Sequence, residues 1–170
     1  MRANLANRPS IERVREVLAY EPETGVLRWK ITLGSRAVKG REAGNIDSST
    51  GYHRTRVDGF FILSHHIGWA ITHGVWPVQL DHVRGKEAGN ALDNLRLATQ
   101  HDNMGNIRKS KHNTSGLKGV SWHEVTGKWA AQIRVRGKQL WLGSYDTKEE
   151  AHEVYMGAAR KHFGEFARSG

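Results

Sequence analysis

The sequence predicts an α+β protein made of two modules. Three short alternating segments between residues 117 and 145 read as an antiparallel sheet, and the run that follows them carries the cap and stripe of a helix. Residues 1–106 show a different pattern, of short helices, a hairpin and long polar loops. A polar, basic stretch, 107–115, separates the two.

Each element has a local reason. In "SIERVREVLAY", Ser10 can cap a helix whose Ile11, Val14, Val17 and Leu18 form an apolar stripe. "EPETGVLRWK" reads as a Pro/Gly turn entering a strand at 26–31, and residues 34–51 as Gly- and Ser-rich loops around a short strand. "GYHRTRVDGFFILSHHIGWAITHG" is a hairpin turning at Asp58-Gly59, whose second arm continues into a helix at 64–73. "VWPVQLDH" restarts the chain after a proline turn, and residues 83–95 form a long polar loop. A helix follows from Thr99, with Asp102 at capping-box spacing. Beyond the linker, "LKGVSW", "KWAAQIRVRG" and "KQLWLGSY" turn at Thr126-Gly127 and Arg136-Gly137. The last helix starts at the cap Thr147, with Glu150 at the box position and Ala151, Val154, Tyr155, Ala158 and Ala159 as its apolar face.

Charge points to a partner. The chain carries 26 Lys and Arg against 17 Asp and Glu, a net +9, which favours an acidic partner and nucleic acid above others. The excess is concentrated: residues 107–170 are net +6 and residues 1–106 net +3. The absence of cysteine excludes disulfides and cysteine-held zinc and fits a reducing cytoplasm. No stretch approaches the roughly 20 apolar residues that span a bilayer. The expectation is a soluble protein of the cytoplasm, with no membrane partner and no small-molecule cofactor.

Alternation sorts the C-terminal sheet into two faces. Trp129, Ala131, Ile133 and Val135 point one way, with Val120, Trp122, Leu140 and Leu142. Lys128, Gln132, Arg134 and Arg136 point the other, with Ser121, His123, Gln139 and Trp141. Such a sheet can enter the major groove, Arg reading guanine and Gln adenine while Lys128 and Lys138 meet phosphates. The residues alone leave a plain solvated face equally open. The run "GLKGVSW…GKWAAQIRVRGKQLWLGSYDTKEEAHEVYMGAARKHFGEFA" resembles the AP2 (ERF-type) DNA-binding domain over nearly its whole length. The resemblance implies that this sheet binds the major groove of double-stranded DNA. By position it carries the groove-facing role to Lys118, Ser121, His123, Gln132, Arg134, Gln139 and Trp141. Ser121, His123 and Gln139 stand where plant members usually have Arg, so the plant target is not transferable.

The stretch "LDHVRGKEAGNALDNLRLATQHDNMGN", residues 80–106, is dense in polar, metal-capable groups. Asp81-His82 close a short apolar run, and Asn103 lies on the helix downstream. Two oxygen ligands with open positions would suit Mg2+ or Mn2+, leaving His82 to deprotonate a water. Asp-His pairs and asparagine caps also arise without any such role. Residues 17–106 resemble phage-type HNH homing endonucleases, through "GY…DGFFILSHHIGWAITHGVWPVQLDH…DNLRLAT…N..N". The resemblance implies a ββα-metal module in which Asp81 and Asn103 hold one Mg2+ or Mn2+ and His82 is the general base. Asn94 would brace the loop and orient His82 through backbone contacts, and His65 would be a structural or phosphate-contacting group. His66 replaces the family's usual Arg, and "EAGNALDN" departs from the family's loop. His101 is read as solvent-facing.

The combined expectation is a metal-dependent DNA endonuclease: residues 1–106 the nuclease with an accessory segment 1–50, 107–115 a linker, 116–170 the AP2-like reader. If phage-encoded, it would act in a bacterial cytoplasm, as a monomer that nicks one strand unless it dimerises. The competing reading is a non-cleaving DNA-binding regulator on a nuclease scaffold.

Overall fold

The computed structural model describes residues 8–107, 109–110 and 112–170. The first seven residues of the accessory segment, and Arg108 and Lys111 of the basic linker, lie outside the described residues. The chain divides into two compact units, 1–97 and 98–170. The helix read as nuclease therefore groups with the C-terminal unit.

In the first unit, α1 (Ile11–Val17) begins where Ser10 Oγ accepts from the Arg13 amide. It is shorter than its stripe suggests. Leu18 closes the helix through its N–H to Val14 O, then turns extended and opens β1 (Leu18–Glu21). β1 pairs antiparallel with β2 (Val26–Trp29), setting Leu18 opposite Trp29, so two buried side chains meet across strands instead of along a helix. β3 (Asn45–Ile46), β4 (His53–Val57) and β5 (Phe60–Leu63) form a three-stranded sheet in that order. The β4–β5 turn is the expected Asp58-Gly59, both with positive φ. Arg13 forks onto the Asp58 carboxylate (2.9 and 3.1 Å), tying the hairpin tip to α1 and holding that carboxyl below its usual range. α2 (Ser64–His73) follows β5 directly and ends on Gly74 in the left-handed conformation. Val14, Val17, Leu18, Leu27, Trp29, Val57, Ile62 and Ile67 make the core. β6 (Leu80–His82) pairs with β7 (Leu95–Leu97), and the loop between them is folded into two short 3-10 turns. The strand Leu95–Leu97 is not visible in the sequence pattern, because three residues are too few to show a period.

The second unit begins with α3 (Gln100–Asn106), which has the expected Thr99–Asp102 capping box. β8 (Val120–His123), β9 (Lys128–Val135) and β10 (Lys138–Tyr145) form an antiparallel sheet with β9 central. A bulge between Trp141 and Gly143 shifts the register of β10 against β9. α4 (Lys148–Phe163), with its Thr147–Glu150 box, covers one face of this sheet. Its buried stripe is Ala151, Tyr155, Ala159 and Phe163, while Val154 stays half-exposed at the border. Trp122 also departs from expectation. It lies on the edge strand, edge-on to Trp129 at 5.1 Å, and remains 47% exposed.

Gly119 fixes how β8 meets α4. Its φ is +76°, and a Cβ there would stand 2.0 Å from the Tyr155 ring. Gly119→Ala should cost the C-terminal unit about 3 kcal/mol, from left-handed strain and overpacking together. A lower urea midpoint followed by tryptophan fluorescence checks this.

Candidate functional site

Two sites are assembled from these elements, one in each unit. In the first, β6 ends on Asp81-His82, both buried. Asp81 Oδ2 is held by a fork from Arg96, its cross-strand partner on β7, at 3.0 Å (Nε) and 2.9 Å (Nη2). His82 sits among aromatic rings. His65, from α2, stands edge-on to it at 4.7 Å, and Tyr52 is tilted against both at 5.6 and 6.0 Å. His66 follows edge-on to His65 at 4.9 Å.

Burial decides what these rings can do. Burial, reinforced by the neighbouring histidines, pushes His65 well below its ordinary value, and burial beside Arg8 and His82 pushes His66 down to about 4. Both are neutral at physiological pH, and the Nδ1 atoms of both are buried without a hydrogen-bond partner. His65 therefore packs edge-on against His82 as a neutral ring.

The side chain that meets His82 is Asn90, whose Oδ1 accepts from Nε2 at 3.0 Å. An amide oxygen only accepts, so this contact makes Nε2 the donor and fixes the orientation of the ring. Asn90 is itself clamped. Tyr20 Oη donates to its carbonyl at 2.7 Å, and a Cβ on Gly25 would come within 2.2 Å of its backbone, so the β1–β2 turn is pressed against it. Asn94 is fully buried and acts one layer behind. Its Oδ1 accepts from the Arg84 amide at 2.8 Å, and its Nδ2 donates to Gly85 O and Gly89 O at 3.2 and 2.7 Å. Its carbonyl also accepts from Val83 N, the residue after His82. Asn94 thus contacts backbone, and Asn90, Tyr52 and Arg96 were given no role in the sequence. All three fall within the stretch that carries the resemblance, Asn90 beside Asn94 in the divergent loop, Tyr52 in its opening "GY" and Arg96 in "DNLRLAT".

A hard cation suits carboxylate and amide oxygens such as those of Asp81 and Asn103. Among the described residues, no group of three or more His, Cys, Asp or Glu side chains is placed to hold a metal. Asp81, in the N-terminal unit, already carries Arg96 on its Oδ2. Asn103 lies on α3, in the second unit.

The second site is the face of the β8–β10 sheet opposite α4. Ser121, Lys128, Arg134 and Gln139 are exposed there, Gln132 is half-exposed, and the exposed Lys138, paired with Val135, starts β10 on the other face. Trp141, 54% exposed, lies opposite Gln132, and Gln139 lies opposite Arg134. His123 donates or accepts at Thr126 Oγ1 (2.9 Å) and turns its ring edge-on to Trp141 at 6.0 Å. Lys128 is paired with Asp146 at 3.0 Å, and Arg136 forms the β9–β10 turn with φ +49°. A depression of about 480 Å3 on this unit is lined by Lys109, Lys118, Ser121, Gln132, Arg134 and Gln139.

Two expectations change in this unit. Lys118, read as groove-facing, sends its Nζ to the carbonyls of Gly105 (2.8 Å) and Arg168 (3.1 Å), tying α3 to the C-terminal tail. His101, read as solvent-facing, lies against Phe163 at 5.0 Å with Nε2 on His162 O, because α3 packs on α4.

Against this geometry the comparisons fall into place. Residues 115–165 match the AP2 domain, the class to which the sheet and its covering helix belong. Over 102 residues the chain is 38% identical to Protein 3.8 of Escherichia phage T7, covering 59% of this chain and 84% of that protein. It belongs to the Protein 3.8 family. Plant proteins match as well. Dehydration-responsive element-binding protein 2D of Arabidopsis thaliana is 47% identical over 51 residues, 29% of this chain and 23% of that one. Ethylene-responsive transcription factor ERF069 of the same plant is 32% identical over 95 residues, 53% of this chain and 57% of that one. The chain thus spans less than two thirds of either plant relative. No solved structure matches it. No helix among the described residues is long and apolar enough to cross a membrane.

Lys118 gives a pH test of the second unit. Burial, with Arg168 nearby, lowers its amine from 10.5 to about 8. Between those values the unfolded chain holds a proton that the folded chain lacks, so the unit gains stability as pH rises through that window. Urea melts from pH 8 to 10 should show the rise, and Lys118→Met should flatten it.

Proposed function

We propose that the protein binds double-stranded DNA in a sequence-dependent way, laying the exposed face of β8–β10 in the major groove. The observation that carries this reading is the AP2 domain at 115–165, whose uncovered face presents Arg134, Gln132, Gln139 and Trp141. Arginine and glutamine are the side chains that pair with purine edges there. Lys128 and Lys138, at the strand starts, supply phosphate contacts, as does the basic stretch before the domain. This function needs only the sheet, and it would stand equally in a regulator that does not cleave. The plant relatives named as element-binding proteins and transcription factors support the same reading. Arg134→Ala combined with Trp141→Ala should weaken duplex binding at least tenfold in fluorescence anisotropy, and rising salt should weaken the wild type steeply. Binding untouched by both changes would sink the proposal.

A second reading adds cleavage, and the His82 cluster favours it. His82 is held in one orientation by Asn90, walled by neutral His65 and anchored through Asn94, an arrangement that suits a general base better than a surface histidine. On this reading the protein is a phage endonuclease of the HNH homing type. His82 takes a proton from the water that attacks the scissile phosphorus, and Asn90 keeps the ring from turning as its charge changes. Asp81 and Asn103 would hold one Mg2+ or Mn2+, which supplies charge stabilisation at the phosphate oxygens. The chain acts as a monomer and nicks. His82→Ala should abolish Mg2+-dependent nicking of plasmid DNA while leaving anisotropy binding unchanged. Cleavage that persists in this variant rules the reading out.

A further inference from the structure

The exposed face of the C-terminal sheet holds three neutral polar side chains in a row that crosses all three strands. Gln139 Nε2 on β10 donates to Gln132 Oε1 on β9, and Gln132 Nε2 donates in turn to Ser121 Oγ on β8 at 3.4 Å. The row lines the depression of about 480 Å3, with Arg134 directly across from Gln139. A glutamine left to itself on a surface samples many rotamers. Here each amide is oriented by the next, which removes part of the ordering cost that recognition otherwise carries.

The row decides what the face can read. After its ladder bonds, Gln132 retains a second N–H and a second lone pair on Oε1, and Gln139 retains an N–H and its oxygen. Each amide therefore still offers a donor beside an acceptor. Adenine presents the complement in the major groove, with N7 accepting and N6–H donating. Guanine presents two acceptors, N7 and O6, so an amide oxygen facing O6 is repelled. A guanidinium offers two donors and suits guanine instead. Gln139 is the diagonal neighbour of Gln132, and their amides meet directly, a separation of the order of the roughly 3.4 Å step between bases, so they address adjacent pairs. Trp141, opposite Gln132, adds an apolar surface of the kind that meets a thymine methyl.

Resting on the DNA-binding reading above, we propose that this sheet selects a duplex site in which two adjacent A·T pairs adjoin one G·C pair. Gln132 and Gln139 read the adenines, Arg134 the guanine, and Ser121 anchors the amide row.

The test is enrichment of bound duplexes from a random library by the full-length chain, with EDTA present to prevent any cleavage. The expected outcome is a motif with two adjacent adenines next to a guanine. Gln132→Ala should reduce discrimination at one adenine roughly tenfold, and Gln132→Arg should turn that position from adenine to guanine. Both variants alter only a half-exposed surface side chain, and circular dichroism confirms that they fold. Enrichment of G·C pairs alone, or binding without sequence preference, overturns the inference while leaving DNA binding intact. No binding by the wild type at any salt concentration overturns the DNA-binding reading and this inference together.

Discussion

The amide of Asn94 is the constraint on which the N-terminal site depends. A fully buried polar side chain is tolerated only if its donors and acceptors are met, and this one meets three backbone groups within a single loop. Those bonds fold residues 84–89 back on themselves, and the carbonyl of the same residue holds the chain just past His82. With the loop pinned, Asn90 has one place to go, against the imidazole. The setting of His82 is thus built outward from a residue that never touches the ring.

In the second unit close approach plays the corresponding part. Gly119 lets β8 come down onto Tyr155, and the apolar inner face is then completed by Ile133, Leu142 and Phe163. Covering one face leaves the other solvated, so the polar face follows from how the sheet is buried. Alternation along β9 assigns Gln132 and Arg134 to the open side as surely as it assigns Ile133 to the closed one.

This is why so much was legible beforehand. Caps at Ser10, Thr99 and Thr147, the Asp58-Gly59 turn and the alternation of β9 are local signals, readable within a few residues of where they act. Asp81 and His82 were legible as a pair at a strand end. What escaped reading was set by contacts distant in sequence. Leu18 is drawn from helix to strand by Trp29. Lys118 is drawn inward by the carbonyls of Gly105 and Arg168, and His101 by Phe163. Asn90 acquires its role only because Tyr20 and Gly25 press upon it from some 70 positions away.

The packing of α3 bears on how such a protein can be assembled from parts. Met104 joins the apolar cluster of α4, and a Cβ on Gly105 would fall 2.6 Å from Phe163. The natural seam in the chain is therefore at Leu97–Ala98 and not in the basic stretch at 107–115. A recombination event that exchanged the AP2 domain at the basic stretch would strip α3 of its bed. One at the seam would carry the reader away together with the helix that bears Asn103. Where such an exchange falls would decide whether Asn103 travels with the AP2 domain.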